Sequence, residues 1–246
     1  MLLFPPFAEE LNKSRRMIAL QARSFADAGF AVFVVDLFGT GDSAGDFAEA
    51  RWEKWRADML CVAEYLRENG VAHLVVWGLR SGALLALDVL GELALPVERI
   101  LLWQPVIRGE QMMTQFLRLR LAAELTKGDG KSAVTTQDLR RGLAHGDALE
   151  IAGYSLAPEL VTAIDALDLT ELAQPGIAPM DWYEITNTPD RPLMPASRAV
   201  IEKWKTKEIV VEARSVVGEP FWNTLEIEVA PLLIAASTRC LLETSV

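Results

Sequence analysis

Cysteine and histidine are scarce in this sequence of 246 residues, which contains two of each. Cys61 and Cys240 lack the CxxC spacing of zinc sites and redox motifs. Two cysteines also fall short of the disulfide framework that small secreted domains use. The composition therefore predicts no metal site and no disulfide, and it favours a reducing, cytoplasmic location.

Long apolar runs are absent as well. A helix that crosses a bilayer needs about 20 consecutive, mostly apolar residues, and the sequence contains no such run. The apolar beginning, Met1 to Phe7, is shorter than a signal-peptide core and is soon followed by Glu9 and Glu10. We therefore expect a soluble protein that is not exported.

Positive charge is in deficit, because 24 lysines and arginines stand against 34 aspartates and glutamates, for a net charge of −10. Nucleic-acid binding depends on clustered Lys and Arg side chains that neutralise phosphates. Anionic membrane surfaces attract the same residues. The sequence therefore predicts neither a nucleic acid nor an anionic membrane surface as partner.

Apolar segments alternate with amphipathic segments along much of the chain, and 51% of the residues are apolar. A repeated order of strand, helix and strand is typical of a parallel sheet that helices cover on both faces. The sequence therefore predicts an α/β fold. Strands are expected at 1–4, 31–37, 73–77, 99–106, 180–185 and 208–217, and helices at 14–28, 52–68, 82–93, 196–205 and 226–241.

The pattern changes in the middle of the chain. Helical patterns at 111–125 and 158–167 are joined by a polar stretch with several glycines at 127–146. Such an interruption of an α/β pattern indicates an inserted subdomain. The expected domains are an α/β core at 1–107 and 170–246 and a helical cap insertion at 108–169.

One motif carries most of the functional information. The segment Gly78-Leu79-Arg80-Ser81-Gly82 follows a predicted strand and begins a predicted helix, as the GxSxG nucleophile elbow does. Arg80 takes the place of the nucleophile, and an arginine carries only donors and stays protonated, so it cannot attack a carbonyl. Ser81 comes one position later, where an elbow uses the backbone N–H, and it is therefore an unlikely nucleophile.

The charge of Arg80 needs an anion, because the N-terminus of a helix is already the positive end of its dipole; the mismatch is worth about 0.3–1 kcal/mol. One interpretation is an internal salt bridge to Glu9 or Glu10, beside the turn that begins at Phe7, or to Asp190 or Glu219. The other is a bound carboxylate, phosphate or acidic sugar. In that case Arg80, Phe7, Glu9 and Glu219 are the expected ligand-binding residues.

Together with Gly29-Phe30-Ala31-Val32 and the segment Asp36 to Ser43, the elbow resembles the α/β-hydrolase superfamily. More narrowly, the chain is similar to the exosortase A system-associated hydrolase 2 family, from Leu2 nearly to the C-terminus. The resemblance implies an α/β-hydrolase fold whose leading strands are missing at the N-terminus. It also implies a gene neighbourhood shared with PEP-CTERM sorting and exopolysaccharide synthesis. The segments that carry it are Pro5 to Arg16, Trp77 to Arg80, Glu150 to Tyr154 and Gly218 to Trp222.

The superfamily's catalytic triad carries over at one position. Asp190 matches the acid by its spacing to the next helix, whereas the histidine position falls on Pro220 or Glu219, and neither relays a proton as imidazole does. His73 lies at the wrong end of its strand, and His145 lies in the polar stretch of the cap. The resemblance therefore implies a degenerate triad in an accessory or ligand-binding protein. The alternative is an active hydrolase or acyltransferase on an ester or thioester, with water activated by Asp190 or Glu219.

Two glycine motifs imitate nucleotide-binding loops. Gly130-Lys131-Ser132 lacks the earlier glycine of a P-loop, and no acidic residue follows Gly39-Thr40-Gly41 at the end of the next strand. We therefore expect no cofactor. The expected partners are an anionic or acyl-bearing small molecule and proteins of the exosortase or exopolysaccharide system.

Overall fold

A computed structural model of the chain describes residues 1–126 and 134–244. The motif Gly130-Lys131-Ser132 and part of the polar stretch at 127–146 therefore lie outside the described residues. In chain order the strands are β1 (Leu2–Phe4), β2 (Leu74–Leu79), β3 (Val97–Trp103), β4 (Leu149–Ile151), β5 (Tyr154–Leu156), β6 (Met180–Thr186) and β7 (Val211–Val217). The helices are α1 (Glu9–Asp27), α2 (Trp52–Glu68), α3 (Gly82–Val89), α4 (Gly109–Thr126), α5 (Thr136–Ala144), α6 (Pro158–Asp165), α7 (Leu169–Leu172), α8 (Pro195–Thr206) and α9 (Pro231–Thr244).

The main sheet has five strands in the order β1-β2-β3-β6-β7, and every neighbouring pair is parallel. Side chains alternate between its two faces. On one face Trp103 packs with α9, where its Nε1 donates to Ser237 Oγ at 2.9 Å. On the other face the ring of Trp182 lies 5.7 Å from that of Trp204 in α8. The α/β prediction is confirmed, with helices on both faces of a parallel sheet.

The strand expected at 31–37 is wrong. Only Phe33 forms a bridge, with Leu2 in β1. From Asp36 onward turn hydrogen bonds replace sheet pairing, as when the N–H of Asp42 donates to Asp36 Oδ2 at 3.0 Å. The sequence pattern indicated an apolar extended segment correctly, but it could not show how little of that segment pairs.

Helix boundaries differ most at their first residues. Helix α1 begins at Glu9, five residues earlier than the expected Ser14, so both glutamates of its first turn become helical. Helix α9 begins at Pro231 instead of Glu226, because proline is well suited to the first turn of a helix and lacks the N–H that a later turn needs. Helix α2 has the predicted bounds.

The chain divides into two compact units, one made of 1–35, 60–107 and 169–246 and the other of 36–59 and 108–168. In the second unit α4 and α6 approach closely at Gly109, where an added Cβ would lie 1.7 Å from the backbone oxygen of Ile164. The same unit holds helix α5, inside the stretch at 127–146 that the sequence had indicated only as a polar connection, and the hairpin β4–β5, which the sequence had not indicated. The role of 108–169 as a cap stays a prediction.

Candidate functional site

The turn between β2 and α3 carries Arg80 at its apex. Arg80 has a φ of 56°, in the left-handed region, and its N–H donates to the backbone oxygen of Trp103 at 3.0 Å. Its own backbone oxygen accepts the N–H of Ala83 at 3.1 Å. Gly82 is required here, because an added Cβ would lie 1.9 Å from the backbone oxygen of Phe4. The backbone therefore has the sharp strand-to-helix turn of a nucleophile elbow.

Left-handed backbone recurs where neighbouring strands of the sheet end. Ala8 follows β1 with φ 47°, Gln104 follows β3 with φ 41°, and Asp190 follows β6 with φ 57°. For residues with a Cβ this conformation costs about 1–2 kcal/mol. Such residues collect at binding and catalytic sites, where the surrounding structure holds them in place. This edge of the sheet is also where ligands bind in open α/β folds.

The Arg80 side chain is paired within the protein. Its Nε donates to both carboxylate oxygens of Glu10, at 3.1 and 3.3 Å, and its Nη2 donates to Glu10 Oε1 at 2.9 Å. Nη1 donates to the backbone oxygen of Gln104 at 3.2 Å. The side chains of Arg80 and Glu10 are only 14% and 23% exposed. Each guanidinium nitrogen thus has an acceptor, so the geometry is that of an internal ion pair.

Trp222 completes the surroundings of Arg80. The guanidinium carbon lies 5.1 Å from the centre of a Trp222 ring, within the range of a cation–π interaction. Trp222 in turn meets Phe221 edge-on at 5.1 Å, and both side chains are buried. The loop after β7, where the superfamily places its histidine, therefore contributes an indole ring to this site.

Glu9 and Phe7 lie beside Glu10 in sequence and make different contacts. Glu9 pairs with Lys13 one turn along α1, at 3.1 Å. Phe7 is buried, and its backbone oxygen accepts the N–H of Glu10 at 3.0 Å. Phe7 therefore helps to fix the start of α1, from which Glu10 reaches Arg80.

The remaining predicted site residues are Ser81, Glu219 and Asp190, and they differ in exposure. Ser81 is buried at the N-cap of α3, and its side chain makes no capping hydrogen bond. Glu219 and Asp190 are exposed, and within the described residues neither side chain makes an ion pair. The structure therefore joins Arg80 to Glu10, Gln104 and Trp222, and it does not join Arg80 to Glu9, Glu219 or Asp190.

The two histidines of the chain lie in different units. His73 is exposed, and its Nδ1 lies 3.1 Å from Glu98 Oε1. His145 is exposed at the C-cap of α5, in the second unit. Within residues 1–126 and 134–244, no group of three or more His, Cys, Asp and Glu side chains is arranged to hold a metal ion.

Glu184 is a buried carboxylate that the sequence patterns did not single out. It is 4% exposed on β6, and its Oε2 accepts the backbone N–H of Met194 at 2.8 Å. Its Oε1 has no hydrogen-bond partner within the described residues. By holding Met194, Glu184 anchors the far end of the loop that carries Asp190. An acidic residue inside a predicted buried strand was the available signal.

A separate charged cluster lies near the start of β6. Asp181 is fully buried and pairs with Arg99 and Arg214, and the hydrogen bond from Arg99 to Asp181 raises the pKa of Arg99. The Tyr183 hydroxyl donates to the backbone oxygen of Ala236 at 3.2 Å, and burial raises its pKa well above the ordinary value. The cluster ties three strands together at the end of β6 remote from Glu184 and Asp190.

The family model for serine aminopeptidase S33 matches residues 11–149 of this chain. This match covers more than half of the sequence and includes the elbow. The chain therefore belongs to the serine aminopeptidase S33 family, a family of α/β-hydrolases. The α/β-hydrolase fold expected from the elbow and its neighbouring motifs is confirmed, whereas the narrower resemblance to the exosortase-associated family stays a prediction.

Solved structures give the same fold. Est1E from Butyrivibrio proteoclasticus, with ferulic acid bound, is 17% identical with a TM-score of 0.66; the match covers 98% of this chain and 87% of Est1E. A structure from work on the metagenome-derived lipolytic enzymes LipS and LipT is 17% identical with a TM-score of 0.56; the match covers 98% of this chain and 92% of that one. Mouse alpha/beta hydrolase domain-containing protein 10 is 15% identical at TM-score 0.54, with 98% and 89% covered. No curated protein matches the chain. At these identities the likeness shows the fold alone.

None of the helices within the described residues combines the length and the apolar character needed to cross a membrane.

Proposed function

We propose that this member of the S33 family serves an accessory or ligand-binding role and does not hydrolyse substrates through a serine acyl-enzyme. The ion pair of Arg80 with Glu10 carries this proposal, because it occupies the apex of the elbow with a group that cannot attack a carbonyl. The loop after β7 supports it further. Its histidine position falls on Pro220 or Glu219, and the loop instead presents the Trp222 ring to Arg80.

Loss of both nucleophile and base removes most of the rate advantage of a triad, because the three side chains act as a unit. Ser81 does not restore it, since this side chain is buried at the N-cap of α3. The proposed protein therefore retains the scaffold of an α/β-hydrolase with a degenerate triad. Of the triad positions, only Asp190 keeps the expected residue type.

The proposed ligand is anionic: a carboxylate, a phosphate or an acidic sugar. Each guanidinium nitrogen of Arg80 already has an acceptor, so a ligand bound through Arg80 has to displace the Glu10 carboxylate. Calorimetric titration of the full chain with acetate, inorganic phosphate and glucuronate tests this. We expect binding to strengthen in Glu10→Gln, which removes the competing charge, and to disappear in Arg80→Met. Binding that is indifferent to both changes rules out Arg80 as the anion site.

The proposed protein partners belong to the exosortase and exopolysaccharide systems, and the proposed location is the cytoplasm. The support is the resemblance at Pro5 to Arg16 and at Gly218 to Trp222, together with two cysteines that form no disulfide within the described residues. A reciprocal pull-down of tagged full chain from a host that carries an exosortase system tests the partners. Recovery of the same sorting or polysaccharide-synthesis component from both directions is the expected result.

One observation favours a second candidate, an active hydrolase or acyltransferase. Asp190 is exposed and held in a left-handed conformation at a strand end, as catalytic residues often are. In this case Asp190 or Glu219 activates water for attack on an ester or thioester. A panel of nitrophenyl esters and acyl thioesters separates the candidates. The accessory role predicts no turnover above background, and the active candidate predicts turnover that Asp190→Asn or Glu219→Gln abolishes while the exposed control Glu68→Gln leaves it unchanged.

A further inference from the structure

The segment Leu225-Glu226-Ile227-Glu228-Val229, which we call the 225–229 segment, alternates apolar and acidic residues. This period of two is the pattern of a β-strand. The segment nevertheless belongs to no strand or helix of the described chain. Its one hydrogen bond within the described residues runs from Thr224 Oγ1 to the backbone oxygen of Glu226, at 2.8 Å. A strand pattern without a strand partner therefore lies between Trp222 and α9.

Two of the three aliphatic side chains of this segment face solvent, and the third, Val229, packs partly buried against the core. Leu225 is 96% exposed and Ile227 is 60% exposed, and Leu232, at the start of α9, is 57% exposed. Single exposed aliphatic residues are common on protein surfaces. A concentration of them in one short stretch instead marks an interaction site. The described chain is bent at residues 225 and 226. Because Leu225 and Ile227 alternate with Glu226, extension of the segment into a strand places both aliphatic side chains on one side.

The charges of the segment select the kind of partner. Glu226 is exposed and Glu228 is half-exposed, Glu219 is exposed on the preceding loop, and the whole chain carries −10. Two copies of the segment side by side would bring these glutamates together, and like charges opposite one another destabilise a strand pair. A basic partner surface instead gains from the same charges.

We propose that the 225–229 segment is a docking strand for a partner protein whose sheet edge presents aliphatic side chains alternating with lysine or arginine. The open backbone N–H and C=O groups supply the main-chain hydrogen bonds of β-augmentation, and Leu225 and Ile227 supply the apolar contacts. Glu226 and Glu228 favour sheet edges that carry lysine or arginine. This inference does not depend on Arg80 or on any catalytic activity.

Defined peptides test the proposal on the full-length chain. A labelled seven-residue peptide of alternating valine and lysine mimics the partner edge, and a peptide with glutamate in place of lysine is the control. We expect the lysine peptide to bind and the glutamate peptide not to bind in fluorescence anisotropy. Hydrogen exchange is expected to slow at 225–229 on binding and to stay unchanged at distant exposed loops.

Variants separate docking from general attraction to an acidic protein. Leu225→Asp and Ile227→Asp are expected to weaken the lysine peptide about tenfold or more, which corresponds to about 1.4 kcal/mol. Val210→Asp, at another aliphatic residue that is 59% exposed, leaves binding unchanged. The double variant Glu226→Lys/Glu228→Lys is expected to bind the glutamate peptide in preference.

Several results overturn the proposal. One is a lysine peptide that fails to bind the wild-type chain, and another is equal binding by the wild type and Leu225→Asp. A charge-reversed variant that keeps the original preference also contradicts it. Analytical ultracentrifugation covers self-association: a dimer that Leu225→Asp dissociates would show that a second copy occupies the segment, in place of a basic partner.

Discussion

Arg80 Nη2 lies 2.9 Å from Glu10 Oε1, which joins the elbow of the β2–α3 turn to the first turn of α1 across 70 residues of sequence. Glu10 stands at the positive end of the α1 dipole, where a carboxylate is favoured. Arg80 stands at the positive end of α3, where a cation is not favoured unless an anion answers it. The Glu10 carboxylate is therefore stabilised by the dipole of α1, and it also neutralises the charge of Arg80 at the N-terminus of α3.

The strength of this ion pair is measurable by a double-mutant cycle with Arg80→Met and Glu10→Gln. Because the two side chains are mostly buried and share several hydrogen bonds, we expect a coupling free energy of about 1–2 kcal/mol in urea unfolding. Lys205 and Glu202 form a control pair with the same N–O distance, 2.9 Å, but with 56% and 71% exposure. Their coupling is expected to be about 0.5 kcal/mol or less. Equal coupling in the two pairs would contradict the structural role of Arg80.

The left-handed backbone of Arg80 predicts an unusual order of two substitutions. Arg80→Ala and Arg80→Gly both remove the guanidinium, but only glycine adopts a φ of 56° without a steric cost. We expect Arg80→Gly to be more stable than Arg80→Ala by about 1 kcal/mol in thermal unfolding. Ala19 is exposed within α1, and Ala19→Gly is expected to lose about 1 kcal/mol instead. The same sign at both positions would be inconsistent with a strained elbow.

Gly82 predicts a steric limit at the elbow. An added Cβ would lie 1.9 Å from the backbone oxygen of Phe4 and 2.8 Å from that of Pro5, and backbone cannot move away as a side-chain end does. We expect Gly82→Ala to destabilise the fold by about 2–4 kcal/mol. Gly91 is the control, because a Cβ there meets no atom within 4 Å. Chemical denaturation of the two alanine variants measures the difference, and similar midpoints would contradict the close approach of β1 to α3.

Tyr183 predicts a loss of stability at alkaline pH. Burial raises its pKa in the folded chain above the ordinary value near 10, so the unfolded chain releases this proton more readily. The contribution of Tyr183 to the free energy of unfolding is complete below pH about 10 and declines as the pH rises further. Cys240 acts in the same direction, since burial raises the pKa of its thiol.

Unfolding midpoints between pH 8 and 11 measure this decline. Tyr183→Phe is expected to flatten it, although the variant starts lower because it loses the bond to Ala236. Tyr65→Phe, at a side chain that is 59% exposed, leaves the slope unchanged. A wild-type slope in Tyr183→Phe would show that other groups cause the decline.

Many of the core strands and helices could be predicted from the periodicity of apolar residues. The bounds of α2 coincide with the prediction, and β2, β3, β6 and α8 differ from it by a few residues at their ends. Helix α5 was missed inside a polar stretch, although Thr135 and Asp138 form a capping box that the sequence displays. The hairpin β4–β5 was missed because each of its strands has three residues, too few to show a period.

Only part of the candidate site could be predicted from the sequence. Arg80 stood out because the elbow motif fixes its position, and Glu9 and Glu10 were both available as partners. The choice between them depends on the rotation of α1, which sends Glu9 toward Lys13 and Glu10 toward Arg80. Gln104 and Trp222 reach the site through strand register and loop path. No local sequence pattern specifies either of these.

Covalent labelling of the folded full-length chain with a fluorophosphonate probe tests the absence of serine-nucleophile chemistry at the elbow most directly. Peptide mass spectrometry locates any adduct, and an active serine esterase in the same reaction shows that the probe is competent. With Arg80 paired to Glu10 and Ser81 buried at the N-cap of α3, the predicted result is an unlabelled Ser81, whether or not the chain has first been heat-denatured. Stoichiometric labelling of Ser81 that prior denaturation abolishes would contradict it.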